Sequence, residues 1–191
     1  IPPAKSTAPQ RHLFEKIVYV LEGSGSTQLE FGNGQKRSFE WGPHSLFAIP
    51  LNARYRHFNA SGRERALLAN TTNLPLVMNT FMNERFIFGS DFDFIERMGK
   101  TEYYSGEGEM AALKRAWIWE TNFVPDLVNK ELEGLAIRGK GARGIIFQLA
   151  EGMMHGHLSE IPIGAYKKGH RHPGGTHVMC VTGTGYSLLW F

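Results

Sequence analysis

Short runs of β-branched and aromatic residues, separated by glycine-rich turns, recur through the first third of this chain and once again near residue 145. Such runs are typical of β-strands, and the glycine, serine and asparagine residues between them are typical of tight turns. Short strands at this spacing predict an all-β sandwich or barrel. The predicted strands are Lys16–Leu21, Thr27–Phe31, Ser45–Ile49, Ala66–Asn70 and Gly144–Leu149.

The middle of the chain differs from its two ends. Asn79–Gly99 is rich in aromatic residues and shows no regular period. Gly108–Glu120 is predicted as a helix and Asp126–Leu132 as a shorter one. We therefore predict an N-terminal barrel over residues 1–70, followed by a connector with an extended arm and short helices over residues 71–134.

An internal repeat links the two ends. When residues 161–191 are aligned on residues 1–31 without a gap, nine positions are identical. Average composition predicts about two. The identities include the pair Arg11 and His12, which align with Arg171 and His172. We infer that residues 135–191 begin a second copy of the N-terminal domain. Because this copy is shorter than the first, we expect its barrel to be incomplete and the chain to be a piece of a longer protein.

The second copy carries a histidine motif. Five residues separate Gly164 from His170, one residue separates His170 from His172, and four residues separate His172 from His177. Residues i and i+2 of a strand point to the same face, so a His-x-His pair directs two imidazoles to one side. Two or three imidazoles suit a divalent metal such as Fe(II), Mn, Ni, Cu or Zn.

This motif resembles the first signature of the cupin superfamily, and the segment from Gly42 to Asn59 resembles the second. Pro50 and Asn59 match the second signature in spacing, but Tyr55 stands where the family has a metal-binding histidine. In the first copy, Gln10 replaces the first histidine of His-x-His. The candidate donors that remain there form a degenerate site of His12, Glu15 and His57. The resemblance implies a bicupin, with two jelly-roll barrels of the double-stranded β-helix type.

The cupin resemblance also implies a function. It favours a metal-dependent, dioxygenase-like oxidoreductase that acts on a small organic acid or aromatic substrate, with Fe(II) as the first choice of metal. In this interpretation His170, His172 and His177 bind the metal. The candidate substrate-binding residues are Arg171, Lys168 and His157. The alternatives are a non-catalytic cupin for ligand binding, storage or sensing, and a cupin isomerase, lyase or decarboxylase. Metal content distinguishes them, since an enzyme of the first type carries about one metal per chain.

Composition narrows the range of partners. The net charge is only +3, and no basic cluster favours nucleic acid. No apolar run approaches the roughly 18–20 residues that span a bilayer, so we expect no membrane partner. The single cysteine, Cys180, excludes an internal disulfide framework and favours a reducing, cytoplasmic compartment. We expect a homo-oligomer, because the apolar run Leu188–Phe191 would lie on an unpaired edge of the incomplete barrel.

Overall fold

A computed structural model describes residues 1–113, 116–134, 139–171 and 175–190. The chain begins with six strands. All five predicted strands are confirmed, four of them in this group and Gly144–Leu149 later in the chain. Two short helices follow, then two turns of 3₁₀ helix at Ile95–Arg97 and Thr101–Tyr104. The strands are β1 (Lys16–Glu22), β2 (Gly25–Glu30), β3 (Lys36–Trp41), β4 (Leu46–Ile49), β5 (Arg54–Asn59), β6 (Leu67–Thr72), β7 (Glu109–Leu113), β8 (Ala116–Thr121), β9 (Phe123–Val124), β10 (Glu133–Gly134), β11 (Arg143–Leu149) and β12 (His155–Glu160). The helices are α1 (Leu74–Phe81) and α2 (Glu84–Gly89).

The first six strands form a curled half barrel. One sheet has the order β6-β1-β4-β9 and the other the order β3-β2-β5, with antiparallel pairing throughout. Side chains from both sheets pack in one core, which includes Val18 of β1, Leu29 of β2 and Phe47 of β4, each with no exposed surface. The described chain is therefore mostly β, in agreement with the predicted fold class at that level.

The third sheet covers the back of the first. Its order is β10-β11-β8-β7, and β12 pairs with β11. Trp119 of β8 and Phe147 of β11 pack against Tyr19 and Ala48, which point away from the half-barrel core. The sheet that contains β1 and β4 is therefore buried on both faces.

Two predictions for the connector are wrong. Gly108–Glu120 contains the β7–β8 hairpin instead of a helix, since β8 buries Trp119 beside Phe147 and pairs in parallel with β11. Strand pairing and burial override the helix propensity of the alanine and methionine residues in that run. Asp126–Leu132 is a turn, in which the Asp126 carboxylate accepts hydrogen bonds from the backbone N–H groups of Val128 and Asn129.

The segment after β12 contains no strand or helix in residues 161–171 and 175–190. Its large apolar side chains are exposed, among them Ile163, Tyr186 and Leu189. A second barrel is therefore not confirmed, and the division into two barrels and a connector stays a prediction. In the described ranges, no helix has the length and apolar character needed to cross a membrane.

Candidate ligand-binding site

Strand β5 supplies the inward-facing polar residues of the half barrel. Its alternation places Tyr55, His57 and Asn59 inside and leaves Arg54 and Arg56 exposed. Tyr55 is 1% exposed and His57 is 4% exposed. The side chains that the sequence places two residues apart thus share the interior face, as the period of a strand requires.

The N-terminal segment lies along the free edge of β5. The backbone of Gln10 exchanges two hydrogen bonds with that of Tyr55, both 2.9 Å long. The backbone N–H of Thr7 donates to the carbonyl of His57, also at 2.9 Å. This pairing positions Gln10 and His12 next to the Tyr55 hydroxyl.

Three polar side chains, those of Gln10, His12 and Lys16, surround that hydroxyl. We call these three residues and Tyr55 the Lys16 cluster. Lys16 Nζ donates to the Tyr55 hydroxyl at 2.6 Å and to Gln10 Oε1 at 3.3 Å. The Tyr55 hydroxyl lies 2.5 Å from Gln10 Oε1 and 2.9 Å from His12 Nε2. Lys16 Nζ therefore donates to two neutral acceptors, the Tyr55 hydroxyl and the Gln10 side-chain carbonyl.

Proton positions in the cluster follow from the acceptors. His12 Nδ1 lies 2.9 Å from the carbonyl oxygen of Phe14, which can only accept, so this nitrogen carries the proton. In the neutral ring, Nε2 is then an acceptor. The Tyr55 hydroxyl has one proton and two acceptors in reach, His12 Nε2 and Gln10 Oε1. The hydroxyl can therefore donate to only one of these two acceptors at a time.

A second polar chain lies deeper in the barrel. Trp41 Nε1 donates to Thr27 Oγ1 at 3.0 Å, and Thr27 Oγ1 lies 2.8 Å from His57 Nδ1. The indole can only donate, so Thr27 Oγ1 accepts from Trp41 and forms a second hydrogen bond with His57 Nδ1. These two bonds hold the His57 ring against β2.

Burial and the charge of Lys16 set the protonation of both histidines. Burial, followed by the Lys16 charge, lowers the pKa of His12 from 6.5 to about 4. The same two causes, in the same order, lower the pKa of His57 to about 4. Burial also lowers the pKa of the Lys16 ammonium and raises the pKa of the Tyr55 hydroxyl. Both histidines are therefore neutral at pH 7.

A cleft of about 520 Å³ opens beside the Lys16 cluster. Gln10 and His12 line it on the barrel side, together with Phe14, Arg54 and Phe88. The Phe14 ring stacks on His12 with centroids 3.5 Å apart, and Phe88, which is 51% exposed, meets Phe14 edge-on at 5.9 Å. The cleft thus combines an aromatic wall with amide, imidazole and guanidinium groups, a combination typical of small-molecule sites.

The wall that carries Phe88 is attached to the barrel by two polar side chains. Arg11 Nη2 donates to the Asp93 carboxylate at 2.8 Å and to the carbonyl of Asp91 at 2.9 Å. Asn52 Nδ2 donates to the carbonyls of Phe92 and Ser90 at 2.7 and 3.2 Å. These bonds fix the segment after α2 against the barrel, so the cleft is formed without a ligand.

The predicted degenerate metal site is not assembled. Glu15 points toward the third sheet, where its carboxylate accepts hydrogen bonds from the backbone N–H groups of Met153 and Met154 at 2.9 and 2.8 Å. His12 and His57 are separated by Tyr55. Within the described ranges, no group of three His, Cys, Asp or Glu side chains could hold a metal ion.

Two of the predicted C-terminal metal ligands, His170 and His177, lie exposed in the segment after β12. His170 Nδ1 is 2.8 Å from the carbonyl of Lys168, and His177 Nδ1 is 3.0 Å from Thr71 Oγ1 of β6. His172 lies outside the described residues, so the trio stays a prediction. The candidate substrate residues Lys168, Arg171 and His157 are exposed, and His157 Nε2 is 3.2 Å from Lys167 Nζ.

Sequence reasoning missed two residues of the barrel interior. Lys16 was assigned to a strand but to no site, and Thr27 was treated only as part of a predicted strand. A signal for Lys16 was present, because a lysine beside Ile17 and Val18 starts a buried strand and needs an interior partner. No comparable signal exists for Thr27, since threonine is common in strands.

Comparison with known proteins gives a distant likeness of fold. A variant of oxalate decarboxylase from Bacillus subtilis matches 75% of this chain and 42% of its own, with 13% identity and a TM-score of 0.39. Vicilin from Capsicum annuum matches 74% of this chain and 46% of its own, with 12% identity and a TM-score of 0.37. Vicilin from hazelnut, Corylus avellana, matches 36% of this chain and 19% of its own, with 16% identity and a TM-score of 0.34.

The chain is mostly β in its described residues, with a curled half barrel. It spans about a fifth to just under half of the length of these three structures. No family model and no curated protein matches the sequence.

Proposed function

We propose that this chain binds a small organic molecule in the cleft beside the Lys16 cluster. The observation that supports the proposal is the fixed aromatic and polar lining formed by Gln10, His12, Phe14, Arg54 and Phe88. Small-molecule sites are usually formed before the ligand arrives, with an apolar body and a few converging polar groups. The cleft has this composition, and the bonds of Arg11 and Asn52 fix its outer wall.

The proposal predicts that small aromatic compounds contact Phe88. We expect benzoate and benzamide to shift the side-chain NMR signals of His12, Phe14 and Phe88. Phe88→Ala should weaken the binding of the better probe by about threefold to tenfold, since an aromatic pair contributes about 0.5–1.5 kcal/mol. Phe86→Ala is the matched control, because Phe86 lies on the same helix and contacts Phe81 instead of the cleft. Signals that stay unchanged with every probe would contradict the proposal.

A second candidate is the metal-dependent oxidoreductase, with a dioxygenase-like reaction on a small organic acid or aromatic. The sequence pattern Gly164-x5-His170-x-His172 followed by His177 favours it. Three imidazole donors suit Fe(II), and also Mn, Ni, Cu or Zn. Such a metal supplies open coordination positions for substrate oxygens. Arg171 and Lys168 would contribute positive charge beside an acidic substrate.

The second candidate predicts a metal content that depends on the C-terminal histidines. His170→Ala or His172→Ala in the complete protein should remove most of the bound metal, whereas His12→Asn should retain it. Elemental analysis of the purified variants measures this independently of activity. His155→Ala is the matched control, since His155 and His157 have the same spacing in β12. If only His12→Asn lost the metal, the metal site would be assigned to the first barrel instead.

A further inference from the structure

Lys16 is a half-buried cation without a counter-ion in the described part of the chain. None of the ion pairs among the described residues includes Lys16. Its hydrogen-bond partners, Tyr55 and Gln10, are both neutral. The neighbouring carboxylate, Glu15, is directed to Met153 and Met154 on the other side of the sheet. An ammonium group removed from water is costly unless an anion compensates it.

Gln10 lies between this cation and the cleft. Its side chain lines the cleft, while its Oε1 atom accepts from Lys16 Nζ and contacts the Tyr55 hydroxyl. The hydrogen bond from Lys16 is long, at 3.3 Å, in comparison with the 2.6 Å bond from Lys16 to Tyr55. The amide is therefore a neutral acceptor at a position where two donors converge, and its bond from Lys16 is the longer of the two.

We propose that a carboxylate of the ligand displaces the Gln10 amide and becomes the counter-ion of Lys16. One carboxylate oxygen accepts from Lys16 Nζ, and the Tyr55 hydroxyl donates to the carboxylate in place of Gln10. A carboxylate has the planar shape of the carboxamide that already fills the position, whereas phosphate is tetrahedral and larger. The ligand class is thus a small monocarboxylic acid. This inference rests on the cleft being the binding site proposed above.

Charge-assisted hydrogen bonds favour the carboxylate over the amide. Hydrogen bonds to an ionised acceptor are roughly twice as strong as those between neutral groups. Arg54 is exposed at the mouth of the cleft and adds a second positive charge on the path of an entering acid. Phe14 and Phe88 leave an apolar surface for the body of the acid.

The test compares acids with their amides in three variants. Isothermal titration of the 191-residue chain with benzoate, acetate, benzamide, acetamide and inorganic phosphate gives the affinities. We expect benzoate to bind at least about tenfold more tightly than benzamide, because the acid alone gains the ionised contact. Lys16→Met should abolish this preference. Lys36→Met is the matched control, as Lys36 is exposed on β3 and is not among the residues that line the cleft.

Gln10→Ala separates this mechanism from a merely structural role of Lys16. Removal of the internal competitor should tighten benzoate binding severalfold, whereas loss of a structural residue would weaken it. Tyr55→Phe should weaken benzoate more than benzamide. The inference is overturned if Lys16→Met retains the preference for the acid, if Gln10→Ala weakens benzoate, or if phosphate binds more tightly than benzoate. Binding of acid and amide with equal affinity would overturn it too, and would leave the cleft itself as a ligand site. Absence of binding by every probe would instead refute the proposed function.

Discussion

Thr27→Val is expected to lower the free energy of unfolding by about 2–5 kcal/mol, although valine has almost the shape of threonine. Thr27 is fully buried, and its hydroxyl accepts from Trp41 and forms a second hydrogen bond with His57 Nδ1. Valine leaves the indole N–H and His57 Nδ1 without partners, and a buried polar group without a partner costs about 1–3 kcal/mol. Urea denaturation followed by circular dichroism measures the change.

The matched control for that experiment is Thr27→Ser. Serine keeps the hydroxyl and removes one methyl group, so we expect a loss of about 1 kcal/mol from reduced packing. Equal stability of the valine and serine variants would show that the bonds to Trp41 and His57 contribute nothing measurable to the half barrel.

Stability should fall steeply as the pH drops from about 6.5 to 4. The pKa of His12 and that of His57 are each lowered from 6.5 to about 4 in the folded chain. Between these values the unfolded chain binds protons that the folded chain does not, so acid favours unfolding. At pH 4 the loss amounts to about 3 kcal/mol for each histidine, since one pKa unit corresponds to about 1.4 kcal/mol. Above pH 6.5 the contribution of each histidine to the slope fades, because the unfolded ring also loses its proton.

Urea midpoints measured between pH 7.5 and 4 check this prediction. His57→Asn keeps a hydrogen-bonding group for the Thr27 hydroxyl but cannot bind a proton in this range. The stability of this variant should therefore depend on pH about half as strongly as that of the parent chain. His155→Asn is the control, because His155 is exposed on β12. A His57→Asn variant with the full pH dependence would contradict the assignment of His57 as a buried neutral ring.

Strand β1 of the half barrel and strand β11 of the third sheet were predictable because they carry local signals. Lys16–Leu21 and Gly144–Leu149 have the β-branched composition of buried strands, and both are strands in the structure. The β7–β8 hairpin was not predictable in the same way. Its alanine, methionine and leucine residues favour a helix locally, and only pairing of β8 with β11, which follows in sequence, selects the strand.

The interior site was predictable in part. The alternation of β5 correctly placed Tyr55 and His57 on one face, and the cupin-like spacing singled out His12. The direction of Glu15 was not predictable, because its partners, the N–H groups of Met153 and Met154, are 138 and 139 residues away in sequence. Contacts of that separation leave no pattern in the residues around Glu15.

The position of the Glu15 carboxylate has a consequence for the order in which the protein folds. During synthesis, the ribosome completes β1 to β6 long before it reaches Met153, and domains generally fold from the N-terminal end as they emerge. Glu15 is therefore hydrated while the half barrel closes and receives its backbone donors only when β11 and β12 dock. Closing so long a loop is entropically expensive and slow. We expect this docking to be the last step, and a chain stalled before β11 to expose the face of β1 and β4 that the third sheet later covers.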